Sequence, residues 1–170
     1  MPNLRLYTIG HGTRTVEGIV QQMQENGIEY VIDVRSIPYS KYQPEFSRKS
    51  LAHALRGAGL KYGFMGDQIG GRPKDPSCYS NGLVNYAKVR AMPFFKAGIA
   101  RLRSACEQKH TVCLLCAEVD PAKCHRSGMI GEALVQHGVQ VEHLLKDGSS
   151  KSQQIVMFKR SNWQLKIPFP

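Results

Sequence analysis

The sequence predicts a three-layer α/β domain: a mostly parallel sheet of about five strands with helices on both faces. Three observations point to it. Short apolar runs alternate with segments of helical periodicity along most of the chain. Two of the runs, Tyr30–Val34 and Thr111–Cys116, have the character of strands buried on both sides. A chain of 170 residues is long enough for one domain with its own core, without disulfides or a structural metal.

The elements follow in order. Leu4, Leu6, Tyr7 and Ile9 form a short strand ending at Gly10, and Val16, Ile19, Val20 and Met23 repeat at helical spacing until Gly27 supplies a stop. Tyr30–Val34 is the second strand. Leu51, Ala54, Leu55 and Ala58 mark a second helix, with Ser47 or Ser50 as candidate N-caps. Lys61–Met65 is a weaker strand, and the segment 66–82, rich in glycine and proline, reads as a long loop. The stretch 81–108 is helical in pattern and broken or kinked at Pro93. Thr111–Cys116 is the clearest buried strand, Met129, Ile130, Ala133 and Leu134 form the last long helix, and Val139–Leu145 is the final core strand. The single α/β domain is expected to span residues 1–147. Residues 148–170 are expected to be a polar linker, a short edge strand and an extended tail packed on the domain.

The formal charge is +10, which favours anionic partners: phosphorylated small molecules, nucleotides or nucleic acid. The charges are dispersed, so plain solubility is the competing explanation. No apolar run reaches the roughly 18 residues of a membrane span, and the amino terminus lacks the pattern of a signal peptide. No membrane partner and a cytoplasmic location are the expectations. The odd number of cysteines (Cys78, Cys106, Cys113, Cys116 and Cys124) fits buried, metal-binding or reactive thiols better than a disulfide framework.

In an open parallel sheet, ligands bind beyond the carboxyl ends of the strands. That rule selects Gly10, His11, Gly12 and Thr13 after the first strand, Asp33, Arg35 and Ser36 after the second, and Cys116, Glu118 and Asp120–Arg126 after the strand at 111–116. Asp120 and Pro121 are a good N-cap and first helical residue. A helix starting there puts Cys124 and His125 in its first turns, where backbone N–H groups favour anions and lower a thiol pKa. Arg126 is then a fork-shaped anion donor. Gly70, Gly71, Arg72 and Pro73 add a turn where a backbone can approach a ligand closely, with Arg72 as a further anion ligand. Each residue has a plainer reading. Cys106 and Cys113 are core residues, Cys116 closes a buried strand, His11 caps a turn, and Asp33 and Arg35 form a structural ion pair. Tyr39, Tyr42, Phe46 and Tyr62 offer stacking surface for a base, or core and rim packing. Cys116, Cys124, His125 and His11 include suitable zinc ligand types. Their spacing matches no common zinc pattern, and adjacent residues on a helix point in different directions. No metal and no cofactor is therefore the expectation.

These residues resemble a known family. Thr8-Ile9-Gly10-His11, Asp33-Val34-Arg35, Gly70-Gly71-Arg72-Pro73, and Cys116-Ala117-Glu118 followed by Cys124-His125-Arg126 are similar, in this order, to the signature of the domain of unknown function 488 family. The resemblance runs from about Tyr7 to Leu145. Gly12 departs from it, since many members carry serine there. The resemblance supports the fold class and the choice of site residues, carries a loose association with DNA repair, and supplies no reaction.

Three functions compete. The first is a small enzyme acting on a phosphorylated or nucleotide-like substrate. Arg35, Arg72 and Arg126 would bind the anion, with Gly10, Asp33 and Cys116 around it. Cys124 would be the nucleophile or redox thiol, His125 or His11 the acid or base, and Glu118 an orienting carboxylate. The second is a nucleic-acid-binding module, and the third a thiol-based sensor or metal-handling protein. Oligomeric state is not legible.

Overall fold

The structure is a computed structural model that describes residues 3–164. Its centre is a six-stranded sheet of order β3-β2-β6-β1-β7-β8, in which β1 (Leu4–Gly10), β2 (Tyr30–Asp33), β3 (Lys61–Phe64), β6 (Val112–Cys116) and β7 (Val139–Leu144) run parallel. The edge strand β8 (Ser150–Ser152) is antiparallel to β7. A two-stranded hairpin, β4 (Tyr79–Ser80) and β5 (Leu83–Val84), stands apart.

Side-chain alternation divides the core into two layers. Ile9, Val31, Cys113 and Leu115 face α1 (Val16–Glu25) and α2 (Arg48–Gly57), and pack with Val16, Ile19, Met23, Leu51 and Leu55. Leu6, Val112 and Leu114 face the other way, toward α5 (Pro93–Glu107) and α6 (Glu132–Gln136), and pack with Phe95, Ile99, Leu102 and Leu134. Strand β6 lies between helical layers on both faces and is buried at every residue, which is why its sequence is an unbroken apolar run.

Local chemistry sets the helix ends. Thr15 caps α1 through its hydroxyl, which accepts from Gly18 N at 3.1 Å, and Gly27 follows at φ +65°. Ser47 stands at the N-cap position of α2 but makes no side-chain capping bond. Pro93 does not kink one long helix. It starts a second one: α4 (Tyr86–Ala91) ends at Met92, and Pro93 takes the first position of α5, where a missing N–H costs nothing.

Three segments differ from the sequence reading. The stretch 66–82 contains a short helix α3 (Gly66–Ile69), a 3-10 turn at Pro76–Cys78 and the hairpin, so it is not a bare loop. The helix expected from Pro121 is a single 3-10 turn, Pro121–Lys123. The chain is then extended at Cys124 (φ −115°, ψ 147°) before a π-helical segment, Arg126–Gly131, leads into α6. The carboxyl segment is also helical. Gln153–Gln164 forms α7, where an edge strand and an extended tail were expected, and residues 165–170 lie outside the described residues. The inward face of α7 carries Gln153, Val156, Met157 and Arg160 at helical spacing, whereas Ile155 and Phe158 point outward. Polar residues inside and apolar ones outside hide the helical period. No helix among the described residues is long and apolar enough to cross a membrane.

Candidate functional site

Strands β2, β6 and β1 are neighbours and parallel, so their carboxyl ends open on one edge of the sheet. The chain leaves β1 and β2 toward the α1/α2 face and leaves β6 toward the α6 face. The β6/β1 boundary is therefore a topological switch point, where such sheets form a crevice. Pairing continues past the strands: His11 N donates to Cys116 O at 2.9 Å and Gly12 N to Ala117 O at 3.0 Å. Gly10 is required here, because a Cβ at that position would overlap the carbonyl of Glu118.

The β2 end is held rigidly. Asp33 is fully buried, and it accepts from Arg35 Nε at 2.9 Å, Arg35 Nη2 at 2.7 Å and the Tyr62 hydroxyl at 2.8 Å. This bidentate pair fixes the guanidinium plane and turns Arg35 Nη1 toward His11 Nε2, 3.5 Å away. Burial, then the Asp33 carboxylate, raises the Tyr62 phenol far above its usual range, so it remains a donor. His11 stacks on Phe46 with centroids 4.2 Å apart. Its Nδ1–H donates to Gly12 O at 3.0 Å, so Nε2 is the unprotonated nitrogen and accepts the long contact from Arg35 Nη1. Burial lowers the His11 pKa; the Gly12 carbonyl works against this, and the Arg35 charge lowers it further.

The β6 end supplies the second half. Because Cys124 is extended and His125 opens the next helical segment, these two adjacent side chains converge instead of diverging. Cys124 Sγ lies 3.3 Å from Cys116 Sγ and 3.7 Å from His125 Nδ1, and Cys116 Sγ lies 3.9 Å from the same nitrogen. His125 Nε2–H donates to Val34 O at 3.0 Å, so the Nδ1 lone pair faces both sulphurs. The thiols split in acidity. Their mutual hydrogen bond lowers Cys124 well below the ordinary thiol value, helped by His125 and Arg126. The same bond, followed by burial, raises Cys116.

These halves enclose a cleft of about 680 Å³. His11, Arg35, Arg72, Cys116, Glu118, Cys124 and His125 all line it, together with Ser36, Tyr39, Gly71, Tyr86 and Lys123. Arg72 and Lys123 are exposed. The Arg72 backbone N–H donates to Ser36 Oγ at 2.8 Å, which ties the Gly70–Pro73 turn to the β2 end. Gly71 lies against the His125 ring, where an added Cβ would come within 2.9 Å of Nδ1. The Glu118 carboxylate accepts from Asp120 N at 3.0 Å and stands at the exposed rim.

Other expected site residues lie elsewhere. Arg126 is fully buried and does not reach the cleft: Nε donates to Thr8 Oγ1 at 3.1 Å, Nη2 to Val119 O at 3.0 Å and Nη1 to Glu118 O. It anchors the 116–124 loop from below because the π-helical turn directs it inward. Gly10 and Asp33 are likewise behind the cleft wall, one making room for the loop and the other holding Arg35. Phe46 is fully buried under His11 and offers no face to a base, and Tyr62 spends its hydroxyl on Asp33. Sequence reasoning missed Tyr86, which carries no local signal, and reached Lys123 only as part of the Asp120–Arg126 segment, with no role of its own. It also missed the network beneath the loop, in which Thr8 Oγ1–H donates to His143 Nδ1 at 2.7 Å and His143 Nε2–H to Gln153 Oε1 at 2.7 Å.

Residues 15–134 match the family model described as Domain of unknown function DUF488. That span holds the Asp33–Arg35, Gly70–Pro73 and Cys116–Arg126 motifs and begins just after the His11 turn. The comparison with curated proteins and the comparison with solved structures each return no match.

Proposed function

The chain belongs to the DUF488 family, and we propose that it is a small enzyme whose cleft takes a phosphorylated or nucleotide-like anion. One observation carries the reading: a single cleft at the sheet's switch point is lined by a Cys116/Cys124/His125 cluster, by His11 and by the cations Arg35, Arg72 and Lys123. Arg35 is neutralised by Asp33 and acts as an oriented donor. Arg72 and Lys123, exposed on the rim, supply the charge that attracts an anion. His11, with Nδ1–H spent on Gly12 O and Nε2 facing Arg35 Nη1 at 3.5 Å, is the base once a substrate group replaces that long contact. The sulphur–imidazole cluster is the reacting centre. Arg126, assigned to the anion on sequence grounds, is left with a positioning role under the loop.

The test is binding and turnover with a panel of nucleotides and phosphate esters. The double variant Arg72→Ala/Lys123→Ala should weaken binding about tenfold, and His11→Asn should lower kcat by about 10²-fold or more. Absence of binding across the panel, or full turnover in His11→Asn, would sink the proposal.

A nucleic-acid reading has its own support. A second cavity of about 760 Å³ shares Lys123 with the cleft; Lys146, Lys151, Lys159 and Arg160 line it with Asp120, Asp147 and an apolar floor that includes Val119 and Val156, so cations outnumber carboxylates. The Lys151 and Lys159 ammonium groups are close enough that Lys151 lowers the pKa of Lys159. A cationic path of this kind would follow a phosphate backbone, with affinity falling steeply as salt rises. No binding of single- or double-stranded oligonucleotides at low salt would remove it.

A further inference from the structure

We propose that Cys116, Cys124 and His125 form a three-ligand site for Zn²⁺ or a similar transition ion, with its remaining coordination position open to the cleft. The proposal rests on that cleft being the reaction site, and it replaces a free nucleophilic thiol by a metal centre.

The donor set comes first. Two sulphurs and an imidazole nitrogen are the soft and borderline ligands that Zn²⁺ prefers, and the three ligand atoms lie within 4.8 Å of one another. Their separations are 3.3, 3.7 and 3.9 Å. A tetrahedral ion bonded at about 2.3 Å to sulphur and about 2.1 Å to nitrogen expects edges of about 3.8 and 3.6 Å. With the ligand atoms left where they are, the angles at such an ion come to about 90°, 115° and 125°. Their sum is well short of a full circle, so the ion sits out of the plane of its three donors and keeps a position free.

The second observation is orientation. A metal-bound imidazole characteristically donates its other N–H to a fixed acceptor, which sets the tautomer and the ring plane. His125 does this through Nε2–H to Val34 O at 3.0 Å, and Nδ1 is aimed between the sulphurs. Val34 follows β2, so two strands share in holding the site.

The third is topology. The ground for expecting no metal was that Cys124 and His125 diverge on one helix. The extended conformation at Cys124 removes it. Spacing rules fail for the same reason, because Cys116 arrives on a strand and the other two from the bend after a 3-10 turn. Three protein ligands facing a cleft, with no fourth among the described residues, match a catalytic arrangement more closely than a closed structural one.

The experiment uses the full chain, purified without chelators. Elemental analysis should find one equivalent of zinc per chain. After its removal, Co²⁺ alone should restore a thiolate-to-cobalt charge-transfer band and the intense visible bands of a four-coordinate site. Cys124→Ser and His125→Gln should abolish the cobalt bands, and Cys106→Ala, in the α5 face of the core, should keep them. The wild-type cobalt spectrum stands even if a ligand variant fails to fold. Sub-stoichiometric metal together with no cobalt band in the folded wild type overturns the proposal. Inorganic phosphate binding is measured alongside on metal-loaded and metal-free protein. Phosphate binding lost in Arg72→Ala/Lys123→Ala but with no metal bound leaves the anion site and rejects the metal. Metal bound with no phosphate affinity upholds the metal and counts against the anion-site reading.

Discussion

His143 should make the fold lose stability on mild acidification, because its buried ring is held neutral by its hydrogen-bond partners. Its ring is fully buried at the junction of β7, β1 and α7. Arg126 Nε–H donates to Thr8 Oγ1, Thr8 O–H donates to His143 Nδ1, and His143 Nε2–H donates to Gln153 Oε1, while Gln153 Nε2 donates to Ser127 O at 3.0 Å. Every donor in that chain meets an acceptor only while His143 is neutral. A second proton would face the Thr8 hydroxyl and the field of the Arg126 guanidinium. Burial, followed by that charge, accordingly lowers the His143 pKa to about 4 from 6.5, against an opposing contribution from Gln153.

The unfolded chain therefore binds a proton that the folded chain resists between these two values, so stability falls as pH falls through this window. The full titration is worth about 3 kcal/mol, of which about 2 kcal/mol is lost between neutrality and about pH 5. Urea denaturation followed by circular dichroism at both pH values gives the loss for the wild type and for His143→Gln. Other titrating groups largely cancel in the difference. The wild type should lose about 2 kcal/mol more than the variant over this interval. Equal pH dependence in the two proteins would refute the neutral, network-bound His143.

Gly10→Ala drives a methyl group into the Glu118 carbonyl and should destabilise by about 1–3 kcal/mol or more; an unchanged denaturation midpoint would contradict the close approach. Asp33→Asn leaves the buried Arg35 guanidinium without its counter-charge and should cost about 3–5 kcal/mol, measured by chemical denaturation. Arg35→Lys cannot form the bidentate pair, and it should loosen the cleft wall even if the charge is kept, read as weaker phosphate binding than in the wild type. A chain ended at Gly148 loses β8 and α7, uncovers the Val156 contact and removes the Gln153 acceptor from His143. It should melt well below the full chain, and an unchanged Tm would show that residues 149–170 add nothing to the stability of the domain.

Much of the architecture was legible because one physical signal governed each part. Strand β6 is covered on both faces, so its residues are uniformly apolar. Helices α1, α2 and α5 are covered on one face and repeat at helical spacing. The failures occur where that signal is mixed. Helix α7 turns Gln153 and Arg160 inward and Ile155 and Phe158 outward, so polarity and burial no longer coincide. Its inward polar residues have specific partners: Gln153 joins the His143 network, and Arg160 donates to Ala122 O at 3.4 Å. A buried polar side chain is explained only by partners distant in sequence, which no local window contains.

The candidate site divides along the same line. The sheet-edge rule found His11, Arg35, Glu118 and the cysteines because it depends only on where parallel strands end. It could not tell a residue that faces the cleft from one that supports it. Arg126 and Asp33 have the chemistry of ligands, yet each has its polar atoms engaged within the protein, and His125, one residue from Arg126, and Arg35, two residues from Asp33, reach the cleft instead. The decisive local event is the bend at Cys124. Asp120 caps the turn, its carboxylate accepting from Ala122 N at 3.0 Å, and Pro121 starts it, as their residue types dictate. How long the turn continues is decided by packing. The Cys124 carbonyl accepts from Ser127 N and Gly128 N to begin the next helical segment, while Arg126 is drawn under the loop by the carbonyls of Glu118 and Val119. A continuous helix through residues 121–131 would separate Cys124 from His125 by about 100° around its axis. The interruption aims both at Cys116, so the buried guanidinium and the convergence of the cluster are two consequences of one backbone turn.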